Sequence, residues 1–294
     1  MGTTTKISWC DSTWNPVTGC YNGCEYCYAR RIATRFEAKR PCAYYDGHLY
    51  MNPDCEHPLH MLDGPAVSAI YTERNEKHDL RKDYMKQPYP FGFEPTFHRY
   101  KLDEPQKWKK PRHIFVCSMA DLFADWIPQN WIRQVMDACY AAPQHSYLFL
   151  TKNPKRYTEV IDYLETGVKD SPTGKPPAMW FGATATNNEQ LESADDTPAT
   201  WVSIEPIHER IWTDANFAAE TNCGFGYREF GRWLWVVIGA ETGHRNGKVV
   251  PEKEWVKDIS EECRHWETPV FMKESLRELM GEDFRQEFPW EVEP

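Results

Sequence analysis

Short runs of apolar, β-branched and aromatic residues recur along the chain from about residue 113 onward. In six of them almost every position is apolar, which is typical of strands buried on both faces of a parallel sheet. We predict strands in HIFVCSM (113–119), SYLFLTK (146–152), MWFGATAT (179–186), WVSIEP (201–206), WLWVVIGAE (233–241) and PVFMK (269–273).

The segments between several of these runs carry apolar residues at helical spacing. The apolar sets are Trp131, Val135 and Cys139 after Pro128, Tyr157, Ile161 and Leu164 after Pro154, and Trp255, Ile259, Cys263 and Trp266 after Pro251. Proline just before such a set suits the first turn of a helix. The strand spacing also suits βαβ units of about 30 residues.

This alternation predicts an α/β fold with a parallel sheet of six or more strands, arranged as a partial or full βα barrel within one domain, 1–294. Two segments interrupt the pattern, because 38–104 is rich in proline, tyrosine, histidine and charge, and 207–232 in glycine, asparagine and scattered aromatics. We predict that both are irregular insertions with little regular structure of their own. Long insertions often cover the functional site of an α/β enzyme.

The net charge and the hydropathy of the chain disfavour two classes of function, non-specific nucleic-acid binding and membrane insertion. Lysine and arginine total 34 against 44 for aspartate and glutamate, a net charge of -10, and such a surface disfavours non-specific binding to a phosphate backbone. The first residues lack the apolar core of a signal peptide, and no run of eighteen apolar residues occurs. We expect a cytoplasmic protein without membrane contact, in the host cytoplasm if the chain is phage-encoded.

Three of the ten cysteines lie close together, as Cys20, Cys24 and Cys27 in the segment GCYNGCEYCYARR. Three thiolates can hold three irons of a cubane cluster and leave the fourth iron open, whereas a closed structural zinc site needs four ligands. Gly19 and Gly23 let the loop wrap closely around such a group. A zinc knuckle, or three unrelated buried thiols, is the alternative.

The C-x3-C-x2-C spacing, with aromatic Tyr26 before the last cysteine, resembles the signature of the radical S-adenosylmethionine superfamily. The resemblance implies a [4Fe–4S] cluster on Cys20, Cys24 and Cys27 whose open iron chelates S-adenosyl-L-methionine. It implies reductive cleavage of that cofactor to methionine and a 5′-deoxyadenosyl radical. It also implies an external flavodoxin- or ferredoxin-like electron donor, and a βα barrel with the cluster loop after its first strand.

Other segments resemble a phage and prophage family of unknown function, the phage Gp thirty-seven / Gp sixty-eight family, whose members carry a three-cysteine motif. The matching segments are ISWCDSTWNPVTGC, LDEPQKWKKPRHIFVCSMADLF (102–123), PQHSYLFLTKNPKR (143–156), WVSIEPI (201–207), WVVIGAETG (235–243) and PVFMK. They leave out 38–97 and 208–232. In that family the first two cysteines are often further apart than here, whereas this chain keeps the spacing of the superfamily.

Polar residues just past the apolar runs are candidates for cofactor binding, since the carboxyl ends of parallel strands meet at one edge. Lys152 could pair with the methionyl carboxylate, Asp121 or Glu205 with the ammonium or ribose, and the backbone of Ile238 and Gly239 with adenine. The full set of predicted cofactor-binding residues is Tyr26, Ser118, Asp121, Lys152, Thr184, Glu205, Ile238, Gly239 and Glu241. Helix caps and satisfied core polar groups also follow strands, so a structural role for each stays open.

Further ligand types occur in the first insertion, at Cys42, His48, Cys55, His57 and His60. One interpretation of these residues is a zinc site or an auxiliary cluster. The alternative is a loop whose histidines are solvated and whose cysteines are small buried hydrophobic residues. Cys139 and Cys263 lie on predicted core faces and are assigned to packing.

The sequence is compatible with three classes of function, which differ in substrate or partner. One hypothesis is a radical enzyme that modifies a nucleobase or nucleotide, since 13 tryptophans and 15 tyrosines could stack on a base. A second is a non-catalytic zinc- or cluster-binding module that docks a protein encoded by a neighbouring gene. A third is a radical enzyme acting on a peptide or small metabolite.

Overall fold

A computed structural model describes residues 5, 7–37, 47–51, 58–73, 80–166, 176–213, 216 and 230–291. Within these residues the strands are β1 (Ser12–Trp14), β2 (Val17–Thr18), β3 (Gly47–Met51), β4 (Pro58–Leu62), β5 (Val67–Glu73), β6 (Leu80–Lys86), β7 (Thr96–His98), β8 (His113–Val116), β9 (Ser146–Thr151), β10 (Ala178–Ala185), β11 (Trp201–Ile204), β12 (Trp235–Ile238) and β13 (Val270–Met272). The described α-helices are α1 (Tyr28–Arg35), α2 (Gln129–Tyr140), α3 (Tyr157–Thr166), α4 (Asn188–Asp195), α5 (Lys253–His265) and α6 (Arg277–Met280).

Seven strands form one parallel sheet in the order β1-β8-β9-β10-β11-β12-β13, with every neighbouring pair parallel. The sheet curls into a half-barrel. Each of the six apolar runs contains one strand of this sheet, so the predicted parallel sheet is confirmed as a partial barrel. The carboxyl ends of all seven strands consequently lie along one edge.

The helices that follow proline begin where the sequence predicts. Pro128 is the N-cap of α2, Pro154 opens a short 3-10 turn that leads into α3, and α5 begins shortly after Pro251. Most of their apolar residues pack against the outer face of the sheet, where Cys139 and Cys263 are fully buried. Trp266 differs from the prediction, because it is the C-cap of α5 and is exposed. The assignment of these two cysteines to packing is confirmed. Helix α4, which buries only Leu191 and Ala194, was not predicted.

The two faces of the sheet have different partners because successive side chains in a strand point to opposite sides. On β11, Val202 and Ile204 join the outer core, whereas Trp201 belongs to a second cluster on the concave face with Trp9 and Trp235. Further members of that cluster are Phe115, Leu148, Val237 and Phe271. Aromatic side chains therefore fill the concavity toward the amino ends of the strands.

Gly182 on β10 makes room for this packing. A Cβ atom at Gly182 would lie 2.2 Å from Cε2 of Trp201, closer than any real contact. The concave face can hold Trp201 against β10 only because position 182 has no side chain.

The prediction that the first insertion has little regular structure is wrong for its described part. Strands β3, β4 and β7 join β2 in a four-stranded sheet, and β5 pairs with β6 in an antiparallel hairpin. The proline, histidine and charge content of 38–104 concealed short runs of strand-forming residues such as VSAIYTE. Backbone pairing between such runs satisfies the hydrogen bonds that an irregular loop would leave to water.

The structure describes the second insertion only at 207–213, 216 and 230–232. Within these residues, the one regular element longer than a single residue is the 3-10 turn at Phe230–Arg232. Across the described ranges, no helix combines the length and the apolar character needed to cross a bilayer.

Candidate functional site

The loop that carries Cys20, Cys24 and Cys27 follows β2 and ends at the start of α1. Gly19 and Gly23 have φ angles of 88° and 68°, in the left-handed region that favours glycine. A Cβ atom on Gly19 would also lie 2.2 Å from the carbonyl oxygen of Glu94. Gly19 thus allows the loop to turn while touching the backbone before β7.

The three cysteine side chains line one cavity of about 170 Å³, hereafter the cysteine cavity. Its other walls come from the carboxyl ends of β8, β9 and β10, so the cavity lies at the edge of the half-barrel that the sequence predicts. Five of the predicted cofactor-binding residues line it as well: Tyr26, Ser118, Asp121, Lys152 and Thr184.

Two sulfur atoms of the triplet have backbone donors. The amide of Asn22 donates to Sγ of Cys20 at 3.4 Å, and the amide of Arg30 donates to Sγ of Cys27 at 3.3 Å, so Cys27 is the N-cap of α1. Burial is the main reason that the pKa of the Cys20 thiol rises to about 12, and the neighbouring Asp121, Cys24 and Cys27 act in the same direction. Without a metal, Cys20 is therefore a neutral thiol at pH 7.

Among the described residues, no three His, Cys, Asp or Glu side chains are arranged to hold a metal ion in this conformation. By chemistry the donor set nevertheless suits iron, since three soft thiols in one cavity are the ligands that iron–sulfur clusters and zinc prefer. The cysteines fit such a group by type and by location, but their sulfurs do not stand in a ligating arrangement.

Lys152 points into the cysteine cavity. Its Nζ donates to the hydroxyl of Tyr26 at 2.7 Å, and the same ammonium lies 5.4 Å from the centre of the Tyr26 ring. The tyrosine in the cysteine motif and the lysine at the end of β9 therefore form one contact inside the cavity.

Asp121 has its acceptor positions engaged by the protein itself. It accepts hydrogen bonds from the side chains of Asn22 and Thr151, and from the backbone amides of Phe123 and Lys152. A carboxylate offers about four acceptor sites, and these four hydrogen bonds occupy them. Asp121 therefore holds the cysteine loop against the end of β9. The predicted contact of Asp121 with a cofactor stays a prediction that would require one of these bonds to break.

A second cavity of about 210 Å³ adjoins the first and shares Tyr26, Tyr28 and Thr184 with it. We call it the aromatic cavity, because Trp9 and Phe115 also line it. Glu205, predicted to join the cysteines in one cavity, lies in this adjoining one, and so does Glu241.

Lys273 forms an ion pair with Glu205 in the aromatic cavity and was not predicted as a site residue. It follows the last apolar run in the same way that Lys152 follows its own strand. The same rule, a polar residue directly after a buried strand, would have found it. Ser203, a polar residue within the run WVSIEP, lines the aromatic cavity as well.

Ile238 and Gly239 are not among the lining residues of these two cavities. Ile238 points to the outer core, and a Cβ on Gly239 would lie 2.9 Å from Oε1 of Glu205. The amide of Gly239 donates to the carbonyl of Ile204, and its own carbonyl accepts from Ile207. Since both backbone groups are engaged, a contact of this dipeptide with adenine stays a prediction.

Glu241 connects the loop after β12 to the cysteine loop. It pairs with Arg245 through two contacts of 2.8 Å, and Arg245 reaches Glu25 at 3.0 Å. The hydrogen bonds from Arg245 lower the pKa of Glu241. The side chain of Glu241 is 2% exposed, so this carboxylate anchors the loop rather than facing solvent.

His208 packs edge-on against Tyr26, with the ring centres 5.3 Å apart. Its Nε2 is buried without a hydrogen-bond partner among the residues described, and burial lowers the pKa of the imidazole. A neutral imidazole ring therefore packs against the ring of Tyr26.

The proposed second metal site in the first insertion lies mostly beyond the described residues, which include neither Cys42 nor Cys55 nor His57. His60 is described in β4, where it pairs with Glu94 and stacks on Phe91 with the ring centres 3.6 Å apart. Its contacts are those of a packed structural histidine.

Comparison with known proteins gives one match. No curated protein and no solved structure matches the chain. The family described as "Protein of unknown function (DUF5131)" matches residues 4–280, which span both cavities and all seven strands of the half-barrel. The chain belongs to the DUF5131 family.

Proposed function

We propose that this chain is a radical S-adenosylmethionine enzyme, with a [4Fe–4S] cluster held by Cys20, Cys24 and Cys27. The observation that carries the proposal is that all three cysteines line one cavity at the carboxyl edge of a parallel half-barrel. That edge is where βα barrels place their chemistry. A closed zinc site is less favoured because it needs a fourth ligand.

The chain's own groups prepare two of the three sulfurs for a charged cluster. Backbone amides already donate to Cys20 and Cys27, and hydrogen bonds to sulfur stabilise negative charge on a ligand and tune the cluster potential. Cys27 also lies at the N-terminus of α1, where negative charge is favoured. Cys20 must lose its proton on binding iron, so assembly releases protons.

When bound, the cluster supplies the electron for reductive cleavage of the carbon–sulfur bond in S-adenosylmethionine, giving methionine and a 5′-deoxyadenosyl radical. A flavodoxin- or ferredoxin-like protein would deliver that electron. The protein contributes binding, orientation and exclusion of water.

Lys152 is the cation we assign to the methionyl carboxylate. An ammonium has three donors, and Tyr26 uses one of them. Ser118 and Thr184 would add neutral hydrogen-bonding groups in the same cavity. Asp121 acts indirectly, since its bonds to Asn22 and to the amide of Lys152 fix the cysteine loop against β9.

Anaerobic reconstitution of the full chain with iron and sulfide tests the proposal. We expect a brown protein that contains about four irons per chain and that releases 5′-deoxyadenosine from S-adenosylmethionine when dithionite is added. A colourless protein that retains zinc and forms no 5′-deoxyadenosine would contradict it. Triple replacement of Cys20, Cys24 and Cys27 by alanine is the matched control for product formation.

A further inference from the structure

The aromatic cavity contains a buried hydroxyl that the protein leaves without a partner. Ser203 is 1% exposed, lies on the concave face of β11 and lines this cavity, and its Oγ has no hydrogen-bond partner among the described residues. Burying a hydroxyl without a hydrogen bond is unfavourable, and such groups are rare in native proteins. A bound molecule that bonds to Ser203 would remove this cost.

The charged groups of the cavity cancel one another. Glu205 is paired with Lys273, and Glu241 is paired with Arg245. Because each lining carboxylate is matched by a cation, the cavity presents little net charge to a ligand. Such a site suits an uncharged molecule better than a phosphate or a carboxylate, which would need an additional cation.

The walls of the cavity suit a flat ring. Tyr28, which is 44% exposed, provides aromatic surface on which a heterocycle can stack, and Tyr26, Trp9 and Phe115 complete the aromatic wall. The ammonium of Lys273 lies 5.6 Å from the centre of the Trp9 ring, so the polar pair and the aromatic wall face the same space.

The Glu205–Lys273 pair places an acceptor beside a donor, and the Ser203 hydroxyl can both donate and accept. The edge of a nucleobase offers the complementary pattern, an N–H next to a carbonyl or a ring nitrogen. A volume of about 210 Å³ is small among ligand sites and leaves room for one base with its sugar.

We propose that the aromatic cavity binds an uncharged nucleoside substrate, whose base stacks on Tyr28 and bonds to Ser203, Glu205 and Lys273. Two sources share this chemistry, a nucleoside substrate and the adenosyl group of S-adenosylmethionine. The assignment as a substrate site rests on the proposed function, whereas nucleoside binding itself does not require the cluster.

Calorimetric titration of the full-length Cys20→Ala variant tests binding without a cluster. The probes are adenosine, guanosine, cytidine and uridine, each compared with its 5′-monophosphate. We expect at least one nucleoside to bind, and its monophosphate to bind about tenfold more weakly. Binding of no nucleoside, or tighter binding of the monophosphate, would overturn the proposal and leave the cluster assignment standing.

Ser203→Ala should weaken binding of that nucleoside about fivefold, the equivalent of one neutral hydrogen bond. Ser146→Ala is the matched control, because Ser146 is the first residue of β9 and does not line the aromatic cavity. This variant should bind the nucleoside with unchanged affinity. A purely structural Ser203 would change stability and leave the affinity unchanged, which would refute its role. If Ser203→Ala fails to fold, the paired change Glu205→Gln with Lys273→Met replaces it, since it removes both charges together.

Competition identifies the source. If adenosine alone binds and S-adenosylmethionine displaces it from the reconstituted wild-type protein, the ligand is the adenosyl group of the cofactor. If a different nucleoside binds while S-adenosylmethionine is present, the ligand is a substrate. Only the second result supports the proposal, whereas displacement by S-adenosylmethionine reduces the cavity to part of the cofactor site and overturns the assignment of a nucleoside substrate.

Discussion

The ammonium nitrogen of Lys152 lies 2.7 Å from the phenol oxygen of Tyr26, so the end of β9 contacts the cysteine loop between Cys24 and Cys27. Burial, with the neighbouring cysteines, raises the pKa of Tyr26. The phenol therefore stays neutral at pH 7 and leaves the charge of Lys152 uncompensated by this contact.

Replacing Lys152 by methionine should weaken S-adenosylmethionine binding by roughly 10- to 100-fold, because a charge-assisted hydrogen bond contributes about 1.5–3 kcal/mol. Calorimetry on the reconstituted protein measures this. Lys155→Met, an exposed lysine in the following turn, should leave the affinity unchanged. Iron content should be the same in both variants, and equal affinities in both would remove Lys152 from the site.

Single replacements of Cys20, Cys24 or Cys27 by alanine should each abolish iron and sulfide retention, since two thiolates hold a cubane cluster poorly. Cys139→Ala and Cys263→Ala should retain both elements, because these side chains are buried in the outer core. Iron and sulfide analysis after anaerobic reconstitution checks both groups. Full iron content in any variant of the triplet would contradict its role as ligand.

Gly182→Ala should lower the free energy of unfolding by about 1–3 kcal/mol, because its Cβ would overlap the Trp201 ring. Gly64→Ala is the matched control, since a Cβ there meets nothing within 4 Å. Denaturant unfolding followed by fluorescence measures both. Equal stabilities would show that the concave face repacks without cost.

Glu241→Gln should lower the thermal midpoint by roughly 2–4 °C at pH 7. Arg245 holds the pKa of Glu241 below its usual value of 4.5 in the folded protein. The stabilisation is therefore complete above pH 4.5 and is lost as the pH falls through the lower folded value. Melting curves from pH 7 to pH 3 should converge for the two proteins at the acid end, and a constant difference would mean that this ionisation contributes nothing.

The sheet and its carboxyl edge were predictable because buried parallel strands have a distinctive sequence pattern. Runs such as SYLFLTK have an apolar centre, and the polar residues that end the run mark the carboxyl edge. Lys152 and Thr184 were found in this way. The hairpin of β5 and β6 was missed because its residues mix polar and apolar types.

Only the structure shows toward which face of the sheet each side chain points. In WVVIGAE, the sequence does not say which alternate residues face the concavity, and Ile238 faces outward while Gly239 lies under Glu205. The side-chain partners of Asp121, Asn22 and Thr151, come from two distant segments, and no local pattern reveals them. The pairing of Glu205 with Lys273 joins residues 68 positions apart.

The aromatic cluster at the amino ends of the strands decides how molecules reach the two cavities. Phe288 and Trp290, near the end of the chain, pack against Trp235 beneath the sheet, and the indole of Trp235 donates to the carbonyl of Glu287. Within the described part of the chain, these side chains fill the concavity at the amino ends of the strands, so a molecule bound in either cavity would enter and leave by the carboxyl edge. A molecule bound at the outer end of that passage would block departure of whatever lies deeper, which imposes an order on binding and release.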